Sequence, residues 1–365
     1  MADFNAEPYW DDFEANNGAL ENNYMRILFR PGYAVQAREL TQIQSILQNQ
    51  IKQFGDHIFQ DGSPVIGGHL TLDTSINYVK LEKQTVNNLD IDLEEFLGLT
   101  VFNSGAPKTR AKVIQTYFTT NDRALLIKYL RGSSFTAGQT ISTSGGATAN
   151  VVATSPTGIG SVVSINSGVF YVDGFFVTVA PQTIVLEPYS STPTYRIGLQ
   201  IDEEIITESV DNALLDPAQE AFNYQAPGAH RYQFNLVLTK RSINSIDDSR
   251  FFELLRVENG VITKQVSYPI YSELEKTLAR RTYDESGNYA VKPFRVNISA
   301  NTPATSAAAN NSFIVNVEPG KAYVKGFEFE TIGTSKISAQ RARNTKTFKD
   351  YDLSVYFGNR VQLAN

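Results

Sequence analysis

Apolar residues follow two different periods along this chain. Between residues 34 and 59, Leu40, Ile43, Leu47, Ile51, Phe54 and Ile58 recur at steps of three and four, with Arg38, Gln42, Gln44, Asn49 and Lys52 on other faces. This spacing predicts one long amphipathic helix. Asp61-Gly62 ends it, because glycine enters the left-handed conformation cheaply. The steps lie nearer the plain helical period than a strict heptad, so two packings suit the stripe: the chain's own sheet, or sister helices in a short trimeric bundle. Under either, Leu47→Asp is expected to be among the most damaging single changes, since it buries an unpaired charge.

From residue 63 onward the period is mostly two. His69-Leu70-Thr71-Leu72, Leu125-Leu126-Ile127-Lys128-Tyr129, Tyr232-Gln233-Phe234-Asn235-Leu236 and Phe294-Arg295-Val296-Asn297-Ile298 each place apolar side chains on one face of a strand. Residues 132–168, rich in Gly, Ser, Thr and Ala, read as small strands and loose turns. A second helix is predicted over 272–281, where Leu274 and Leu278 share a face, followed by a turn at 284–288. Residues 1–33 show no sustained period and present Phe4, Tyr9, Trp10 and Phe13, which reads as an extended arm docking on this subunit or a neighbour. Trp10 is either a core residue or an interface anchor. The expected architecture is mainly β, of α+β type: arm 1–33, long helix 34–61, a first β-rich module 62–207, an irregular connection 208–230, and a second β-rich module 231–365 containing the short helix.

One motif occurs twice. Val163-x-Ile165-x-x-Gly168-x-x-Tyr171-Val172-x-Gly174-Phe175 matches Val315-x-Val317-x-x-Gly320-x-x-Tyr323-Val324-x-Gly326-Phe327 at an offset of 152 residues. In each copy β-favouring pairs flank Asp173-Gly174 or Lys325-Gly326, where glycine supplies the positive φ of a tight hairpin. Gly174 and Gly326 are therefore structural turn residues, and two related modules are expected.

Composition narrows the function. The 365 residues are 42% hydrophobic and only 19% charged, so polar uncharged side chains fill the surfaces of many short strands. The net charge of −6 comes without blocks of like charge, which disfavours non-specific nucleic-acid binding. The absence of cysteine removes disulfides, thiolate metal sites and cysteine nucleophiles. No basic-then-apolar segment marks a signal peptide at the N-terminus, and the apolar run near 124–130 is too short to span a bilayer. No membrane association is expected.

Candidate chemistry is sparse. His57, His69 and His230 lack partners at metal-ligand spacing, and neither a phosphate-binding loop nor a nucleophile elbow is present. Carboxylate pairs such as Glu94 with Glu95 point to opposite faces if they lie on a strand. Lys325-Gly326-Phe327-Glu328-Phe329-Glu330 imitates an RNA-recognition signature, but its two carboxylates would repel phosphate. Catalytic residues, metal and cofactor are all expected to be absent, so the protein reads as a non-enzyme.

Four ordered segments carry a family resemblance. They are Asn23-Tyr24-Met25-Arg26 running through Arg30-Pro31-Gly32-Tyr33 to Arg38-Glu39-Leu40; Leu215-Asp216-Pro217-Ala218 through Gln225-Ala226-Pro227-Gly228 to Arg231-Tyr232; Arg280-Arg281-Thr282-Tyr283-Asp284 to Asn288-Tyr289; and Gly320-Lys321-Ala322-Tyr323-Val324-Lys325-Gly326. Together they resemble the uncharacterised domain of tail-associated virion structural proteins of tailed phages, including cyanophage myoviruses. The resemblance implies a wedge or fibre component of the tail or baseplate, assembled in the bacterial cytoplasm, a homotrimer, and other tail proteins as partners. It carries over no catalytic residue. The text from Val355 to Asn365 stops as a strand enters a new turn, so a distal part able to touch the host surface is expected to be missing. A receptor-binding fibre recognising surface glycan, with stacking aromatics among the 18 tyrosines, is the alternative class; a polysaccharide depolymerase is a third.

Overall fold

The computed structural model describes residues 4–5, 7–84, 90–103, 108–120, 122–246, 250–266, 269–301 and 312–341. The expectation for residues 355–365 falls outside them. The chain divides into two units, Met1–Pro293 with Gly320–Gly333, and Phe294–Pro319 with Thr334–Asn365. Its described residues are mainly β, with 21 strands and two α-helices.

Helix α1 (Ala37–Ile58) starts where the Glu39 carboxylate accepts the Gln36 backbone N–H at 2.9 Å, satisfying one of the free donors of a helix start. It stops when Phe59 turns extended. Strands β1 (Pro64–Gly67) and β2 (Leu70–Leu81) follow, then β3 (Thr100–Asn103), β4 (Arg110–Phe118), β5 (Arg123–Arg131), β6 (Thr140–Thr143) and β7 (Thr148–Asn150). The chain returns through β8 (Thr157–Ile165), β9 (Gly168–Val172), β10 (Phe175–Val179) and β11 (Gln182–Glu187). These strands form an eight-stranded sheet of order β11-β8-β2-β5-β4-β3-β6-β7 and a three-stranded sheet β1-β9-β10. The β3–β7 stretch has its own core, around Phe96, Val101, Val113, Leu125, Ile127 and Ile141.

Next come β12 (Tyr195–Ile206), β13 (Arg231–Ser242), β14 (Phe251–Glu258) and β15 (Val261–Gln265), in the order β13-β12-β14-β15. This sheet takes strands from both sides of the irregular 208–230 segment, which forms the loop of the β12–β13 hairpin closed by Ile206 opposite Arg231. Its aliphatic face, with Ile197, Leu199, Leu236 and Leu255, packs with Leu70, Val163, Ile165 and Leu186 of the eight-stranded sheet in one core.

Helix α2 (Glu273–Ser286) precedes β16 (Tyr289–Lys292), β17 (Val296–Ala300), β18 (Ser312–Val317), β19 (Lys321–Val324), β20 (Phe327–Glu330) and β21 (Ser335–Gln340). The helix runs five residues beyond its sequence-based end at 281. Nothing in Thr282-Tyr283-Asp284-Glu285-Ser286 breaks it, and Gly287, at φ +66, is the first residue suited to a left-handed stop.

The second half repeats the first. Sheet β16-β19-β20, in the first unit, has the order of β1-β9-β10; sheet β17-β18-β21, in the second unit, has the order of β2-β8-β11. The registers agree as well. Ile165 pairs with Leu70 and Gln182 as Val317 pairs with Val296 and Ser335; Val163 pairs with Leu72 and Ile184 as Val315 pairs with Ile298 and Ile337. Both hairpin turns have two positive φ angles, 50° and 89° at Asp173-Gly174, 53° and 80° at Lys325-Gly326, the geometry of a type I′ turn. Each turn rests on a helix. A Cβ on Gly174 would lie 2.6 Å from Lys52 of α1, and one on Gly326 would collide with the Ala279 carbonyl of α2. In each copy, a side chain just after the helix accepts the N–H of the first turn residue: Asp61 from Asp173 at 2.8 Å, Asn288 from Lys325 at 2.7 Å.

Candidate assembly surface

Helix α1 is held to its own chain by the polar side of its surface. Gln42 Nε2 donates to the Asp11 carbonyl at 3.0 Å, and the Ser45 hydroxyl donates to the Asp11 carboxylate. Gln48 Nε2 donates to the Gly174 carbonyl at 2.6 Å, fastening the helix to the hairpin turn. The Tyr171 hydroxyl donates to the Lys52 carbonyl at 3.1 Å and to the Asp56 carboxylate at 2.7 Å. Gly55 lies flat on the Tyr171 ring, where a side chain would collide with it. Ile46, packed with Phe13 and Ala19, is the only fully buried aliphatic side chain of the helix.

The apolar stripe therefore points outward. Leu40, Leu47, Ile51 and Phe54 are exposed, Leu47 to 59% and Phe54 to 70%, while Ile43 and Ile58 are half-buried. The segment before the helix adds exposed Tyr24, Met25, Leu28, Phe29, Tyr33 and Val35. At the other end Ser272 joins α2 to α1, its N–H donating to the Ile58 carbonyl at 3.1 Å, and α2 presents Leu274 and Leu278. These two leucines correspond to Leu47 and Ile51 at a common offset of 227 residues, so the outward apolar pair belongs to the repeat. Large apolar side chains are exposed in number along these elements, and extended apolar surface is uncommon on folded chains that bind nothing.

The other singled-out positions are placed as follows. Trp10 is 53% exposed, beside a buried Asp11. Its aromatic neighbours dock on their own subunit. The Phe4 ring meets Tyr232 at 4.8 Å, and the Tyr9 hydroxyl lies 2.8 Å from His230 Nδ1. His230 Nε2 faces Glu208 at 3.2 Å. His57 is exposed, with Nδ1 2.9 Å from the Gln53 carbonyl, and His69 is exposed. Gly174 and Gly326 occupy the hairpin turns described above.

Sequence reasoning missed the charge cluster under the first hairpin. Arg250 reaches Asp173 at 3.1 Å and pairs with Glu203, while Lys52 lies 3.8 Å from Asp173. Burial pushes the Asp61 carboxyl up, against the lowering effect of the Asp173 N–H bond. Burial, then the bond to Asp56, pushes the Tyr171 hydroxyl well above its usual value, so it remains a donor. These groups fasten the helix to the hairpin. Among the described residues, no cluster of three His, Cys, Asp or Glu is set to hold a metal ion, and no helix is long and apolar enough to cross a membrane.

Comparison with curated proteins and with solved structures gives no match. A family model described as "Domain of unknown function (DUF4815)" matches residues 7–134 and 137–359, nearly the whole chain. The chain belongs to the DUF4815 family.

Proposed function

We propose that this protein is a structural component of a phage tail or baseplate, a wedge or fibre protein that assembles as a homotrimer through the outer face of α1. One observation carries the assembly reading: the apolar stripe of α1 faces away from its own chain, while the helix's polar groups do the intramolecular fastening. From Leu40 to Phe54 the stripe is about 21 Å long at ~1.5 Å per residue. Three such helices share one apolar seam, and closed cyclic symmetry satisfies every copy alike. The virion setting is supported by the four segments that resemble tail-associated structural proteins. It gives the protein other tail or baseplate proteins as partners, and its role is to hold them rather than to catalyse.

Light scattering on the purified chain at micromolar concentration tests the assembly, with a trimer mass expected; a stable monomer would count decisively against it. Labelling of phage particles with an antibody to the chain tests the setting. Signal at the tail is expected, and signal absent from the particle would end the virion reading.

A further inference from the structure

The two halves of the chain differ in how one apolar sheet face is covered. In the first half the rows Leu70–Ile165–Gln182 and Leu72–Val163–Ile184 pack against the aliphatic face of β12–β14, and Leu70, Val163 and Ile165 are at most 5% exposed. The matching rows of β17–β18–β21 leave Val296, Ile298 and Ile337 63%, 70% and 56% exposed. The opposite face of this sheet is finished. There Asn316 Nδ2 donates to Asn297 and to Ser299, at 2.9 Å each, and Asn297 donates to Glu318 at 3.0 Å. A face that is polar but for Ile314 and is tied by its own hydrogen bonds suits water, whereas alternating aliphatics on the other side suit a second sheet.

Building on the α1 homotrimer proposed above, we propose that this face of β17–β18–β21 is covered by the matching faces of its two sister copies. Two arguments select that occupant. Neither apolar row contains a charged side chain, so like faces meet without repulsion. The face is also small. Three strands about 4.8 Å apart, each about five residues long at ~3.4 Å per residue, cover roughly 250 Å². A stable interface with a free partner takes about 800 Å² per side. The occupant therefore has to arrive at high effective concentration, which a sister chain already joined at α1 provides.

The cysteine-free chain makes the test direct, because Ile298→Cys introduces a sole thiol. In the full-length protein a short bis-maleimide should link Ile298→Cys chains into covalent dimers. Ser299→Cys, on the finished face, should alkylate fully without linking. Leu47→Cys, treated in parallel, reports the α1 seam independently. Linking at Leu47→Cys together with a freely alkylated, unlinked Ile298→Cys overturns this proposal and leaves the α1 seam standing. An Ile298→Cys thiol that neither alkylates nor links in the assembled protein, and stays unreactive when Leu47→Asp keeps the chains apart, is covered from within its own chain, which also overturns it. A monomer by light scattering, with neither position linking, removes the α1 reading and this one together. If Ile298→Cys lowers the yield of folded protein, Ile337→Cys in the neighbouring strand poses the same question with the same outcomes.

Discussion

Replacing Leu47 with aspartate puts a carboxylate in the middle of the outer face of α1, at a side chain 59% exposed in the single chain. Sequence reasoning expects this change to harm the fold in either packing. The structure moves the damage to assembly. Within one chain the substitution loses part of a leucine's burial and some helix propensity, about 1 kcal/mol together, or a Tm lower by about 3 °C. Within the seam it buries an unpaired carboxylate, at about 3–5 kcal/mol per chain. Over three chains that is about 9–15 kcal/mol. Because trimer formation depends on the square of the free chain concentration, the assembly midpoint should rise by about three orders of magnitude or more. Light scattering over a dilution series, paired with thermal melts of the same samples, reads both quantities. The expected result is a monomer with nearly the parental fold at concentrations where the parent is trimeric. A variant that still assembles at the parental midpoint refutes the seam, and one that is unfolded refutes the claim that Leu47 is not needed within the chain.

Other expectations follow from the helix–hairpin contacts and from one buried ion pair. Gly174→Ala and Gly326→Ala each force a side chain into positive φ and into the helix beneath, so each should cost about 2–4 kcal/mol in urea denaturation; a loss below about 0.5 kcal/mol would contradict the docking geometry. Tyr171→Phe removes the hydroxyl shared by Lys52 and Asp56 and should cost about 1–2 kcal/mol by the same assay, with faster hydrogen exchange in the last turns of α1. Burial alone would raise the Glu253 carboxyl, but the guanidinium hydrogen bonds of Arg256 and Arg196 outweigh it and hold the carboxyl below its ordinary 4.5. A lowered folded value means this stabilisation is complete above 4.5 and disappears as the pH falls through the lower folded value. Acid denaturation followed downward from 4.5 should therefore be steeper in the parent than in Glu253→Gln, and equal slopes would refute the linkage.

Much of the local structure was legible. The spacing of Leu40, Leu47, Ile51 and Phe54 predicts a helix, and the x-Gly steps predict two hairpins, because both signals depend on neighbours a few residues away. Which side of α1 faces its own chain was not legible. The groups that decide it, Tyr171 and Gly174, lie 115 to 126 residues from their partners on the helix, and the contacts are polar, so a reading of apolar residues leaves both packings of the stripe open. The repeat was visible only where its copies share residue types. Beyond the hairpin it survives as strand register, with Leu70 matched by Val296 and Asp61 by Asn288, and its offset changes from 152 to 226 and 227 at these positions because the first half carries the additional strands β3–β7. The irregular 208–230 text resembles a linker, yet its ends are stitched together by the β12–β13 ladder.

Those additional strands have a consequence for engineering. They enter between β2 and β8 and continue the shared sheet from the free edge of β2, through β5, around a core of their own. The other copy of the scaffold joins β17 to β18 in eleven residues, and among the described residues nothing pairs with the corresponding edge of β17. One backbone plan has thus accommodated both a short connection and a domain-sized graft at the same joint. That joint is a natural cloning port: foreign strands or reporter domains spliced between β17 and β18 should be carried without disturbing the hairpin–helix clasp, in the way the first copy already carries its own passenger.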